Sequence, residues 1–164
     1  MIGISSLAII DKKGKSILTR DYRKDIDVDF IYLFNKKILE HDQEKEPPMI
    51  THKNLCFFYA DHQNIRVLAV CKGNANAVMI FSFLNSFLEL LKEFLQKLEA
   101  DVVRDNIIMI YELMDEMIDN GFPQFTDVKI MKKYITSSAK ISFLKNIKKK
   151  KSKKTQEAVD GIVS

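Results

Sequence analysis

The sequence predicts an α+β fold: a five-stranded, mainly antiparallel sheet sandwiched between one short helix and two long ones, in the order ββαβββαα. Three observations predict it. Runs rich in Ile, Leu, Val and Phe, separated by polar turn-forming breaks, fill most of the first 71 residues. Apolar residues at three- and four-residue steps then dominate residues 78–118. Hairpin-length connections between neighbouring runs favour antiparallel pairing and leave the helices to cover the sheet.

The first strand is read over residues 2–10 and the second over 17–22, with Asp11-Lys12-Lys13-Gly14-Lys15 as the turn. The first run is apolar at both parities, as expected of a strand covered on both faces. From Asp27, a plausible N-cap, the spacing shifts to Phe30, Leu33, Phe34 and Ile38, one face of a short helix. A charged loop at 41–46 closes on Pro47-Pro48. Strands follow at 49–52, 54–60 and 65–71, the last two joined by Asp61-His62-Gln63-Asn64.

The first long helix carries Val78, Phe81, Leu84, Leu88, Leu91, Leu95 and Leu98 on one stripe, widened by Ile80, Phe87 and Phe94. Asp101 reads as the N-cap of the second, whose inner face holds Val103, Ile107, Ile110, Tyr111, Met114, Met117 and Ile118. Asn120-Gly121-Phe122-Pro123 is expected to end it, with Gly121 as the left-handed residue past the last turn. A last short helix is expected over 127–135, capped by Thr126. The domain is drawn as residues 1–138, followed by a basic linker at 139–164.

With 46% hydrophobic and 29% charged residues in 164, the chain fits one domain with a real core. The net charge of +4 hides an asymmetry. Residues 140–164 hold eight lysines against Glu157 and Asp160, a net of +6, so the remainder sums to −2. Only the tail is basic enough to attract polyanions. No apolar run approaches the roughly 20 residues that span a bilayer. The first residues lack a secretory signal's basic start, and Gly3 misses the second position that myristoylation needs. Cys56 and Cys71 fit reduced thiols, and the chain reads as cytosolic.

Chemistry finds little purchase. Gly3, Gly14, Gly73, Gly121 and Gly161 are too far apart for a phosphate-cradling loop. His52, His62, Cys56 and Cys71 lack the paired spacing of a zinc site, and the two cysteines are expected to be diagonal neighbours on one face. A Cys56 nucleophile with His52 or His62 as base has nothing to orient it. Glu112, Asp115, Glu116 and Asp119 read as a solvent-facing stripe, with a basic partner surface as the sharper alternative. No catalytic residue, cofactor or metal is expected. The lysines Lys148, Lys149, Lys150, Lys151, Lys153 and Lys154 read as a solvated linker, a patch for anionic membrane, or a nuclear or nucleic-acid tail. Apart from Phe143 the tail offers no aromatic on which bases could stack, so nucleic acid is not an expected partner.

One block is distinctive. Arg104-Asp105-Asn106-Ile107, Tyr111-Glu112-Leu113-Met114-Asp115-Glu116-Met117 and Gly121-Phe122-Pro123-Gln124 resemble the clathrin adaptor medium (mu) chain, as do Thr126-Asp127, Lys129-Ile130 and Tyr134-Ile135-Thr136. Arg20-Asp21-Tyr22-Arg23 and Phe81-Ser82-Phe83-Leu84 are similar too. The resemblance covers residues 1–136 and implies that family's amino-terminal longin fold. It implies no enzyme but a subunit of a heterotetramer in vesicle-mediated protein transport, docked directly to a large beta-type chain. The other large chain and the small sigma chain complete that assembly, which meets clathrin indirectly on the cytosolic face of trans-Golgi, endosomal or clathrin-coated vesicle membranes. Residues 158–164 resemble the approach to a carboxy-terminal cargo-binding domain; a linker threonine is phosphorylated in some relatives, and the resemblance implies Thr155, the only threonine in this linker, as the matching site. Docking to a partner calls for exposed apolar side chains, and the expected ones are Phe30, Phe34, Tyr59, Phe122, Met131 and Tyr134. A longin head of SNARE type is the alternative, but residues 145–164 lack the heptads it needs.

Overall fold

The computed structural model describes residues 3–40 and 47–124, together with Lys129, Met131, Lys133, Gln156, Val159, Asp160, Gly161 and Ile162. Five strands, β1 (Ser6–Asp11), β2 (Ser16–Asp21), β3 (Met49–His52), β4 (Leu55–His62) and β5 (Ile65–Lys72), form one sheet in the order β2-β1-β5-β4-β3. Every neighbouring pair is antiparallel. The longin-like architecture expected from the sequence is the one observed. The loop at 41–46, the Thr126 cap and most of the helix at 127–135 lie outside the described residues. By contacts the chain divides into two units, residues 1–125 and 126–164.

Strand alternation sorts the core into two layers. Ala8, Ile10, Leu68, Val70, Phe57, Tyr59 and Ile50 share one face and enclose Phe34 of α1 (Phe30–Glu40). Leu7, Ile9, Val67, Ala69 and Phe58 take the other parity and are buried there. Phe58 meets Phe81 of α2 (Ala77–Leu95) edge-on, with ring centroids 5.4 Å apart. Both faces are therefore dry, which accounts for the unbroken apolar runs of β1 and β5.

Helix ends follow local hydrogen bonding. The α1 cap is Asp29 rather than Asp27: its carboxylate accepts the Tyr32 N–H at 3.0 Å and its carbonyl accepts that of Leu33. The α2 cap is Asn76, whose side chain accepts from Met79 N–H at 3.2 Å. Asn76→Ala is expected to cost about 1 kcal/mol in chemical denaturation, and Asn76→Ser close to nothing.

The second long helix is not continuous. It is split into α3 (Ala100–Asp105) and α4 (Ile107–Met117) at Asn106, and the cap position ahead of α3 is Glu99, not Asp101. The cause is in the side chain. Asn106 donates its amide to the Val102 carbonyl at 2.8 Å while its N–H turns to Val103, so the regular ladder is interrupted and restarts with Ile110 donating to the Asn106 carbonyl.

Gly121 also departs from expectation. It does not terminate a helix but forms a two-residue turn with Asn120 between β6 (Ile118–Asp119) and β7 (Phe122–Pro123). Both turn residues have positive φ, 48° and 88°, the combination a tight hairpin requires and Asn-Gly supplies at least cost.

Candidate functional site

The residues with chemical potential are kept apart by the register. Cys56 and Cys71 are direct cross-strand partners, not diagonal ones. His52 sits opposite Leu55 and so shares the face that Cys56 does not. His62 is six residues along the strand from Cys56, on the order of 20 Å away. Among the described residues no thiol–imidazole pair forms. Among the described residues no group of three or more His, Cys, Asp or Glu could hold a metal.

Burial pushes the Cys71 thiol up to about 12, with the Cys56 thiol adding to the shift, and burial raises Cys56 as well. Neither is a ready nucleophile. Their register also disfavours a disulfide. Val70 C=O accepts from Ser5 on the β1 side, and Gly73 N–H donates to Asn54 on the β4 side. Alternation therefore turns the Cys71 backbone groups toward Cys56, making a hydrogen-bonded pair, in which side chains stand further apart than the roughly 3.5–4.5 Å between Cβ atoms that a disulfide needs. After incubation with oxidised glutathione the intact mass is expected to show no 2 Da loss. Such a loss would show that the two strands open or slide.

What remains is surface. Of the expected docking side chains, Phe34 and Tyr59 are buried and belong to the core instead. Phe34 packs on the Phe57 and Tyr59 rings at 5.8 and 5.2 Å, and the Tyr59 hydroxyl donates to the Pro47 carbonyl. Met131 is buried too. Those three are withdrawn from the docking set because they have no surface to offer. Phe30 is half-buried against the α1-side core, and Phe122 is half-buried beside Gly3. Tyr134, Thr155 and the lysines Lys148, Lys149, Lys150, Lys151, Lys153 and Lys154 lie outside the described residues.

The sequence reading passed over Val28, Tyr32 and Leu39, all well exposed at or just ahead of α1. The signal was available: Tyr32 and Leu39 are two turns apart and out of phase with the inner stripe of Phe30, Phe34 and Ile38. Beside Leu39 a cavity of about 400 Å³ opens between α1 and the β1–β2 hairpin. Its walls are Ile10, Gly14, Asn35, Ile38 and Leu39, and its polar lining is Asp11, Lys12, Lys13, Asp61 and Arg66. The Arg66 guanidinium lies 4.5 Å from the Tyr59 ring centroid and is held by Asp61 at 2.5 and 2.7 Å. On the opposite side of the sheet, Arg20 pairs with Asp115 at 2.7 Å, so one member of the acidic stripe has an internal partner.

The family model for the clathrin adaptor complex small chain matches residues 3–142. The chain belongs to this family. Relatives within the adaptor family include AP-1 complex subunit mu-1-I of Caenorhabditis elegans, 41% identical over 80% of this chain and 32% of its own length. AP-1 complex subunit mu-2 of Homo sapiens is 36% identical over 82% of this chain and 32% of its own. A chain of a homology model of the full-length AP-3 complex in a stretched open conformation superposes with a TM-score of 0.68 at 13% identity, over 88% of this chain and 98% of that one, a likeness of fold alone. The adaptor chain described here spans about a third of the length of the mu relatives it matches. Among its described residues no helix is long and apolar enough to cross a membrane.

Proposed function

We propose that this chain is the amino-terminal longin domain of an adaptor medium (mu) chain, acting as a docking body and not as a catalyst. The observation that carries the reading is the 41% identity to a mu subunit along 80% of the chain. In this reading it binds a large beta-type chain directly, within a heterotetramer completed by a second large chain and a small sigma chain. The assembly works in vesicle-mediated protein transport on the cytosolic face of trans-Golgi, endosomal or clathrin-coated vesicle membranes, and meets clathrin indirectly.

Residues 1–138 form the docking domain and 139–164 a basic linker toward a cargo-binding domain. Phe30 and Phe122, each half-buried, contribute aromatic surface to the contact. Lys148, Lys149, Lys150, Lys151, Lys153 and Lys154 add a salt-sensitive attraction to anionic lipid of about 1 kcal/mol each near the surface, and Thr155 is the modification site beside them. Co-expression with a beta-type large chain tests the assignment. The two are expected to co-elute in gel filtration as an equimolar complex, and separate elution at low and moderate salt contradicts it.

A further inference from the structure

We infer that Asn120 is a site of spontaneous modification, deamidating to isoaspartate, and that the β6–β7 turn gates the reaction through its grip on the chain ahead of β1. The chemistry is independent of the docking function proposed above.

Asn120 is the one asparagine of the sequence that precedes a glycine. Glycine, with no side chain, leaves its amide nitrogen least hindered as a nucleophile toward the neighbouring side-chain carbonyl carbon. That side chain is also open to water. Asn120 is exposed, whereas Asn35, Asn64, Asn76 and Asn106 hold their side chains in hydrogen bonds to backbone groups. In the reaction the Gly121 amide gives up its proton and its nitrogen bonds to Asn120 Cγ. The Cγ–Nδ2 bond breaks, and Nδ2 leaves as ammonia with a proton from water. Water then opens the five-membered imide at either carbonyl. Opening at Cγ leaves an aspartate on an ordinary backbone. Opening at the backbone carbonyl leaves isoaspartate, with the chain running through Cβ and Cγ. Water replaces ammonia, and nothing is oxidised or reduced.

The folded turn holds this back. Ring closure needs Cβ and the next amide nitrogen on the same side of the Cα–C bond. The φ values of 48° at Asn120 and 88° at Gly121 are those of a type I′ turn, whose first central residue has ψ of roughly +30° and so keeps Cβ and that nitrogen almost opposite each other. Gly121 is buried and its carbonyl accepts the Ile4 N–H at 2.6 Å, so the residue that must swing is the one clamped to the chain ahead of β1. Ring closure therefore waits on local opening of that contact. Isoaspartate then puts an extra methylene into a two-residue turn and a negative charge beside Asp119. The Asp119–Phe122 pairing and the Ile4 contact are both lost.

The test incubates the full chain for several weeks at physiological temperature and pH. Mass spectrometry with fragmentation should locate a gain of about 1 Da at Asn120. Methyl transfer by an isoaspartyl methyltransferase should label the same peptide, and Asn120→Gly should remove that label. The folded chain should modify more slowly than the chain in denaturing urea, and amide exchange at Ile4 should quicken in the modified fraction. In Gly3→Ala, a Cβ would meet the Gly121 carbonyl oxygen at 2.6 Å and push the two segments apart. That variant should modify about fivefold faster than the parent. If it fails to fold by circular dichroism, a urea series below the parent's midpoint should give the same acceleration. A folded parent that modifies as fast as the unfolded chain would overturn the gate. Absence of modification at Asn120 in the folded parent, in Gly3→Ala and in dilute urea, while the unfolded chain reacts, would overturn the site.

Discussion

Replacing Phe34 by alanine is expected to remove about 3–5 kcal/mol of stability, the largest loss from any single truncation in α1. Phe34 is the one fully buried residue of that helix. Its ring fills the space between Phe57 and Tyr59 and lies 5.6 Å from the Arg66 guanidinium, so the change leaves a cavity bounded on several sides by rings that cannot collapse into it. Against a total of roughly 5–15 kcal/mol for a domain, the loss leaves α1 barely docked. Urea denaturation followed by circular dichroism reads the effect directly. Phe34→Leu, which keeps most of the volume, should recover more than half of it. A loss below about 1 kcal/mol for the alanine variant would mean that α1 is not held to the sheet by this residue.

The second large effect is expected at Gly121. Its φ of 88° already disfavours a side chain, at a cost of about 1–3 kcal/mol. Space makes the substitution worse. A Cβ there would stand 2.3 Å from the Ile4 carbonyl oxygen, and the Gly121 carbonyl accepts the Ile4 N–H at 2.6 Å. Gly3 approaches from the other side, where a Cβ would meet the same Gly121 carbonyl at 2.6 Å. Backbone touches backbone, so neither partner can swing aside as a flexible side chain would. Gly121→Ala should therefore lower the thermal midpoint by roughly 10 °C or more, and detach the chain ahead of β1 from the β6–β7 turn. Asn120→Gly, one residue away with φ 48°, is the control and should change little. Equal stability of the two variants would show that the close approach does not exist in solution.

These two positions show what a sequence discloses and what it withholds. The alternation and helical periodicity are local properties, so the order of the elements along the chain, the layers and the apolar stripe of α1 were legible. Gly121 was recognised as a left-handed residue, but its contact with Ile4 spans more than a hundred residues and leaves no periodic trace. Asn106 interrupts a helix that its apolar spacing alone would carry through. Phe34 and Tyr59 were expected at a surface because aromatic character marks both cores and interfaces, and only the fold tells which. Tyr32 and Leu39 were recoverable from phase alone. The deepest part of the candidate surface was not, because Lys12, Ile38 and Arg66 come together only when the hairpin, α1 and β5 are packed.

Isothermal titration of the full chain into a purified beta-type large chain measures the central claim without cellular intermediaries. The account expects one-to-one binding with a Kd of about 1 µM or tighter and a negative heat-capacity change from burying apolar surface. No saturable heat at any of several temperatures and salt concentrations, with both proteins folded, would contradict it.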